Sequence, residues 1–186
     1  MHSSEIAPRR FDRRSNDNPT SASPSARLND PGGCPPGAEE ADTATTMSQK
    51  NVEFLQGLFA AAGDLDKQAL LAALPELIAQ TCDPEIEWVE DPQRADRRIY
   101  HGHEGVRESW ERWLENFEEY GAEVERMIDC GDRVLVIFRE HGRGVLSGAA
   151  TSQRLYVVFS FREDKIARYE EFTDKRTALE AAGLQE

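Results

Sequence analysis

Residues 86–91 (IEWVED) decide the fold class when they are taken together with the sequence that follows them. Side chains of a β-strand point to opposite faces in turn, so this run predicts a strand with Trp88 and Asp91 on opposite faces. Pro92 opens a polar loop, and residues 100–106 (YHGHEGV) lead from that loop into a helix. We therefore expect a strand that ends on a carboxylate, then a loop, then an amphipathic helix.

Helical spacing predicts the other helices. Apolar residues recur every three or four positions over residues 48–62, and a second helix capped by Asp64 or Asp66 follows. Pro75 is expected to break or kink that second helix, because proline lacks the backbone donor. A short last helix begins at Asp174 and ends at Gly183. The helix after the loop carries an apolar stripe made of Val106, Trp110, Trp113, Leu114 and Phe117.

The last third of the chain predicts an antiparallel meander. Four apolar runs separated by turn residues lie at 124–128, 134–138, 155–161 and 166–172. Helices followed by such a sheet indicate an α+β domain. Residues 134–138 (VLVIF) and 155–161 (LYVVFSF) are apolar on both faces, although a half-solvated sheet should alternate. Helices can cover one face, so we predict a homodimer through the other.

Composition divides the chain into two parts. Residues 1–46 are rich in Ser, Pro, Asn, Gly and Arg and lack apolar periodicity, so we expect a disordered tail. Met47 lies where the folded pattern begins, and translation starting there is the alternative explanation of the tail. Residues 47–186 have the length of one domain with a single core.

The formal net charge of −13 excludes some partners. Binding to nucleic acid or to an anionic membrane requires clustered Lys and Arg, so neither is expected. No apolar run approaches the length of a membrane span, and a cytoplasmic protein is expected. Cys34, Cys82 and Cys130 form no C-x-x-C pair, which fits a reducing compartment.

The order of elements resembles that of SnoaL-like proteins in the NTF2-like superfamily, the relatives of ketosteroid isomerase and polyketide cyclases. The likeness is greatest at Val89, Glu90, Asp91 and Pro92, and residues 62–66 (AGDLD) are similar to the end of that enzyme's first helix. The resemblance implies a cystatin-like cone in which helices pack on a curved, mostly antiparallel sheet. It also implies a ligand-sized cavity and a homodimer.

The resemblance implies a chemical role for Asp91. In ketosteroid isomerase a strand of similar sequence presents an aspartate that moves a proton between carbons of the steroid. An apolar cavity raises the pKa of a carboxyl group toward the working pH, so Asp91 is our candidate base. The alternative role is structural, because an aspartate before a proline commonly opens a turn and accepts hydrogen bonds from nearby backbone.

The rest of that enzyme's constellation is missing. A Tyr and a protonated Asp hold the enolate oxygen there, and the corresponding positions fall near Gln56 and Val157. Val157 cannot donate a hydrogen bond, and the Gln56 amide is a much weaker acid than a phenol. Because such donors usually make the largest contribution to this catalysis, steroid isomerase activity is not expected.

Aromatic and polar residues complete the predicted site. Aromatic side chains that line a cone cavity can bind an apolar ligand, although aromatic residues at helical spacing also occur as ordinary core packing. His141 beside Glu140 is a candidate acid or base, with a solvated rim position as its alternative. Glu170 and Glu171 face opposite sides of their strand, and the pattern does not say which one is inside. The predicted ligand-binding residues are Trp88, Tyr100, Trp110, Trp113, Phe117, Arg139, Tyr156 and Glu170.

Metal and cofactor chemistry have little support in the sequence. His101 and His103 make an H-x-H pair, but no matched carboxylate or third His accompanies them, so no metal site is predicted. No glycine-rich nucleotide motif or nucleophile elbow occurs, and no cofactor is predicted. Two functions stay open: cofactor-free proton transfer on an apolar, carbonyl-containing molecule, or a non-catalytic dimeric module that binds a ligand or a partner.

Overall fold

The computed structural model describes residues 38–63 and 65–185, with the side chains from Ser48 onward. The predicted tail over residues 1–46 lies outside the described residues except for 38–46, which belong to the first helix; Cys34 and the alternative cap Asp64 also lie outside them. The elements are α1 Ala38–Ala62, α2 Lys67–Thr81, β1 Cys82–Val89, β2 Ile99–His101, α3 Gly102–Leu114, β3 Phe117–Asp129, β4 Arg133–Gly144, β5 Ala150–Arg162, β6 Lys165–Phe172 and α4 Lys175–Ala181.

The six strands form one open, curved sheet in the order β2-β1-β6-β5-β4-β3. Neighbouring strands are antiparallel except β1 and β6, which are parallel. The parallel pair arises because the chain leaves β1, forms α3 and the meander, and returns beside its own first strand. The prediction of an α+β fold with helices on a mostly antiparallel curved sheet is confirmed.

The main core lies between one face of the sheet and helices α1, α2 and α3. Leu55, Leu74 and Val106 contribute one buried side chain from each helix. Every second residue of the strands points toward these helices, and Ile86 on β1 and Val157 on β5 are two of the buried ones. The apolar residues on this face of the sheet pack against the apolar stripes of the helices. The main cavity lies on the same face.

The opposite face of the sheet is covered by α4. Ala178 and Ala182 share a buried cluster with Leu135 of β4, Tyr156 and Val158 of β5, and Phe172 of β6. The two-faced apolarity of these strands is thus explained within one chain, because α4 lies where a second copy was expected. The homodimer remains a prediction, but the apolar residues on both faces of β4 and β5 no longer support it.

Local signals fixed several helix ends. Asp66 caps α2 by accepting a hydrogen bond from the Ala69 backbone N–H, at 2.8 Å, and Asp174 caps α4 in the same way through Thr177, at 2.9 Å. The expected break at Pro75 is wrong, since α2 runs through it without interruption. Leu74 and Ile78 are buried on either side of Pro75, and this packing compensates for the one backbone bond that proline removes.

The end of α3 differs from the prediction. Phe117 is the first residue of β3 rather than the last member of the helical stripe. The amide of Asn116 donates to the carbonyl oxygens of Arg112 and Trp113, which ends the helix at Leu114. Strand β2 was not predicted, because three residues are too few to show an alternating pattern.

Candidate functional site

A cavity of about 860 Å³ lies between the inner face of the sheet and the helices α1 and α2. Its walls are mainly apolar, because the same residues that form the core stop short of filling it. Cavities of this size and character are typical of small-molecule sites. Representative lining residues are Phe59, Leu70, Leu74, Phe138, Phe159 and Ile166.

A smaller cavity of about 280 Å³ lies beside the first and is more polar. Three glutamates line it, namely Glu90, Glu140 and Glu171, together with Asp91. The two cavities share a wall, so the large apolar space ends on a cluster of carboxyl and phenol groups. The shared residues are Trp88, Trp110, Tyr120, Glu140, Leu155 and Tyr169.

Glu171 is a largely buried carboxyl group of this cluster with a raised pKa. Its side chain is only 13% exposed, and burial raises the pKa of Glu171 to about 7. The Asp91 backbone N–H donates to its Oε1 at 3.2 Å and the Arg94 guanidinium lies 3.4 Å away, which limits the rise in pKa. The charges of Glu90 and Glu140 add to the rise. Glu171 is therefore a carboxyl that can both take up and release a proton near neutral pH.

Two tyrosines face the carboxylates across the cavity wall. The Tyr120 hydroxyl donates to Glu140 Oε1 at 2.6 Å, and the Tyr169 hydroxyl donates to Glu171 Oε2 at 3.4 Å. Burial, followed by the charge of the partner carboxylate, raises the pKa of Tyr120 and the pKa of Tyr169 well above the usual value of a phenol. Both hydroxyls accordingly stay protonated at neutral pH and serve as hydrogen-bond donors.

Glu90 is held by an ion pair at the back of the smaller cavity. Its Oε1 accepts from Arg112 Nη1 at 2.9 Å and lies 3.4 Å from the Tyr100 hydroxyl, while Oε2 accepts from the Arg98 backbone N–H at 2.8 Å. A buried carboxylate with a guanidinium partner and two further donors is well satisfied. Tyr100 supports this pair from behind and is not among the residues that line the cavities.

Asp91 is 2% exposed and its carboxylate is fully engaged. Oδ1 accepts from the Gln93 backbone N–H at 2.7 Å, and Oδ2 accepts from the Thr173 backbone N–H at 2.7 Å and from the Thr173 hydroxyl. These bonds close the turn after β1 and tie it to the end of β6. They match the turn-forming alternative for Asp91.

Comparison with known proteins adds the family. Residues 58–169, more than half of the chain, match the family model described as a SnoaL-like domain. The chain belongs to the SnoaL-like domain family. The resemblance inferred from the sequence is confirmed. Comparison with curated protein sequences gives no match.

Solved structures share the fold of this SnoaL-like chain at low identity. TerC, co-crystallised with polyporic acid, is 20% identical with a TM-score of 0.54, over 72% of this chain and 98% of TerC. An NTF2-like protein from Burkholderia xenovorans LB400 is 20% identical with a TM-score of 0.52, over 72% and 95%. Bal32a, from a soil-derived mobile gene cassette, is 17% identical with a TM-score of 0.56, over 72% and 96%.

The SnoaL-like fold brings several predicted aromatic residues to the cavities. Trp88 and Trp110 line both cavities, and Trp113 lines the smaller one. Phe117 packs on Trp113 and Tyr120, with ring centroids 5.1 and 5.5 Å away, and supports that wall from outside. The core-packing alternative holds for Phe117, whereas the three tryptophans contact open space.

Three more predicted residues, Tyr156, Glu170 and Arg139, do not line the cavities, which corrects their expected positions. Tyr156 packs with α4 on the opposite face of the sheet. Glu170 pairs with Arg168, at 2.9 Å, and its neighbour Glu171 takes the inner position. Arg139 forms an ion pair with Glu125. Strand alternation is the common cause, because adjacent residues on β4, β5 and β6 face opposite sides.

His141 is exposed on β4, beside Gly121 of β3. Its neighbour Glu140 is buried and lines both cavities, so the candidate acid or base is one position away from the wall. The sequence analysis did not select Glu140 as a site residue, because the pattern of its strand is ambiguous. Val134, Val136 and Phe138 share its parity, but the run VLVIF is apolar at every position and does not mark the inner face.

No group of three or more His, Cys, Asp or Glu side chains is arranged to hold a metal ion in the part of the chain that the structure describes. His103 Nε2 lies 3.1 Å from the Cys82 carbonyl oxygen, and His101 is exposed. None of the described helices is long and apolar enough to cross a membrane.

Proposed function

We propose that this SnoaL-like chain binds an apolar, carbonyl-containing small molecule in its main cavity and moves a proton on it without a cofactor. One observation carries the proposal: the apolar cavity adjoins a smaller cavity lined by Glu171, whose pKa burial raises to about 7, so a ligand in the larger space can reach this carboxyl across the shared wall. A base with a pKa near the working pH is partly deprotonated and still basic enough to remove a proton. TerC, which shares the fold, was co-crystallised with a small molecule, polyporic acid.

In the proposed reaction, the Glu171 carboxylate removes a proton from the carbon next to the carbonyl group. The electron pair of that C–H bond moves toward the carbonyl oxygen, which becomes an enolate and accepts a hydrogen bond from a tyrosine hydroxyl. Glu171 then returns the proton to a carbon of the enolate, so atoms and charge balance with no external reagent. Tyr120 and Tyr169 lie on the wall between the cavities and stay protonated, and the hydroxyl that serves the enolate would turn to it from its present acceptor, Glu140 or Glu171.

We assign Asp91 a positioning role in this proposal. Its carboxylate already accepts three hydrogen bonds, whereas its backbone N–H donates to Glu171 at 3.2 Å. The turn that Asp91 closes therefore holds the inner carboxyl in place. The sequence-based candidate base and the proposed base are thus neighbours in space that serve one site.

The test uses 1-tetralone as an apolar carbonyl probe and follows deuterium exchange at the carbon next to its carbonyl by NMR. The full chain should accelerate the exchange, with a rate that rises with pH and levels off above about pH 7, where Glu171 is ionised. Glu171→Gln should reduce the acceleration by about 100-fold, the contribution typical of a general base. Glu170→Gln is the matched control, because its carboxyl lies on the other face of the same strand. An equal loss in both variants, or none in Glu171→Gln, would refute the assignment.

A non-catalytic binding module is the second candidate. The positions of the two enolate-holding residues of ketosteroid isomerase fall near Gln56 and Val157, neither of which supplies a strong donor. Saturable binding of 1-tetralone without any acceleration of exchange would favour this function over proton transfer. Calorimetric titration of the same samples measures the binding separately from the chemistry.

Assembly and location complete the proposal. We keep a homodimer and a cytoplasmic location from the sequence analysis. Cys82 and Cys130 are free thiols, which supports a reducing compartment. Sedimentation of the full chain at micromolar concentration tests the dimer, and a single monomeric species would remove it.

A further inference from the structure

We infer that the ligand of this site carries a cationic nitrogen, such as a protonated amine, which lies beside Glu140 and against the aromatic rings around it. The inference rests on the proposed function, because it uses the same cavity, and it adds the class of substrate. Its basis is the charge balance of the smaller cavity and the arrangement of its rings.

Glu140 is a buried carboxylate without a cationic partner among the described residues. It is 6% exposed and lines both cavities. Its Oε1 accepts from the Tyr120 hydroxyl at 2.6 Å and its Oε2 accepts from the Gln153 amide at 3.1 Å, and both of these donors are neutral. Charged carboxylates are almost never so deeply buried unless a cation accompanies them. A ligand cation at the junction of the two cavities would supply the missing charge.

The other carboxylates of the smaller cavity are accounted for within the described chain. Glu90 pairs with Arg112 at 2.9 Å, and Glu171 pairs with Arg94 at 3.4 Å. The donors to Asp91 are also neutral, but three of them engage both of its oxygens within the turn that it closes, so its carboxylate is not left to face a ligand. The surplus negative charge that faces open space is therefore centred on Glu140.

The walls around Glu140 suit a cation that is not strongly hydrated. Five rings line the smaller cavity, and the electron-rich faces of such rings attract cations. The site already shows this preference, since the Arg94 guanidinium lies over the Trp113 ring, 5.2 Å from its centroid. The apolar body of the same ligand would extend into the larger cavity. The rings are those of Trp88, Trp110, Trp113, Tyr120 and Tyr169.

The test compares two probes with one carbon skeleton, 2-aminotetralin, which is protonated at neutral pH, and the uncharged 2-tetralol. Calorimetric titration of the full chain should show the amine binding at least about tenfold more tightly than the alcohol. Glu140→Gln should abolish that preference, because the amine loses its counter-charge. Glu119→Gln, an exposed glutamate on the neighbouring strand β3, should leave both affinities as in the wild type.

Two results would overturn the inference, and they differ in what they say of the proposed function. If the alcohol binds and the amine gains nothing, the cation site is refuted while the cavity remains a ligand site. If neither probe binds and 1-tetralone does not bind either, both proposals fail together. The preference of the wild-type protein for the amine over the alcohol tests the inference even if Glu140→Gln does not fold, because this comparison needs no variant.

Discussion

The indole ring of Trp88 stacks face to face on the phenol ring of Tyr169, with centroids 3.5 Å apart and an angle of 6° between the planes. The two residues are register partners on β1 and β6, the one parallel pair of the sheet. Because both rings line both cavities, the stack forms part of the wall where the apolar space meets the carboxylates. The pairing of β1 with β6 and the shape of the site therefore depend on the same contact.

Replacing Trp88 by Ala should lower the free energy of unfolding by about 3–5 kcal/mol, since it removes a buried indole and the stacking partner of Tyr169. Urea unfolding followed by circular dichroism measures the change. Val145→Ala, at an exposed position after β4, is the control and should stay within about 0.5 kcal/mol of the wild type. Equal stability of Trp88→Ala and the wild type would mean that the stack does not hold β1 against β6.

Asp91→Asn should destabilise the protein by about 2 kcal/mol. The amide that replaces one carboxylate oxygen must face a backbone N–H of Gln93 or Thr173, so a donor meets a donor. The thermal midpoint and the free energy of unfolding should fall together, with Glu119→Gln as the exposed control. An unchanged midpoint with lost proton transfer would instead restore Asp91 as the base.

The raised pKa of Glu171 makes folding stability depend on pH. The folded protein holds this proton up to about pH 7, whereas the carboxyl of the unfolded chain releases it near its model value of 4.5. The unfolded state thus binds fewer protons between these values, and the contribution of Glu171 to stability is lost as pH rises through that window. The loss amounts to about 3 kcal/mol.

Glu171→Gln removes the pH-dependent contribution of this carboxyl to folding stability. The variant should therefore gain stability relative to the wild type as pH rises from about 5 to about 8. The measured quantity is the difference in free energy of unfolding between the two proteins at each pH. Glu170→Gln provides the comparison on the outer face of β6. A difference that stays constant over this range would show that Glu171 is ionised throughout.

Two glycine substitutions should change stability in opposite directions. Gly57 lies inside α1 with nothing within 4 Å of an added Cβ, so Gly57→Ala should stabilise the protein by about 0.5–1 kcal/mol. At Gly142 an added Cβ would lie 2.7 Å from Phe117 Cδ1 and 2.9 Å from the Glu119 carbonyl oxygen. Gly142→Ala should therefore cost about 1–3 kcal/mol. Thermal unfolding of both variants checks the signs, and a stabilised Gly142→Ala would show that β3 can shift away.

Sequence patterns located the elements well where the signal is local. Asp66 and Asp174 cap their helices as predicted, and the predicted runs 155–161 and 166–172 lie within β5 and β6. Each of these features depends on a side chain and the backbone a few residues away, so the neighbouring residues specify it. The family could be inferred for the same reason, from the order of elements and the motif around Asp91.

Patterns did not settle which face of each strand is the inner one. Tyr169 and Phe172 are both apolar and lie on opposite faces of β6, so alternation alone could not choose between Glu170 and Glu171. The choice follows from helix placement, with α1, α2 and α3 over one face and α4 over the other. Contacts between residues far apart in the chain fix that placement.

Patterns within the sequence were enough to predict the α+β class, most of the helices and strands, the family and a carboxylate after β1. The packing of distant elements makes Glu171 the carboxyl with a pKa of about 7 and buries Glu140 without a cationic partner among the described residues. A pKa and a charge balance depend on burial and on neighbours 20 to 80 residues away, such as Tyr120 for Glu140 and Asp91 for Glu171. Local periodicity reports neither of these, because both arise only when the curved sheet and the helices pack around the cavities.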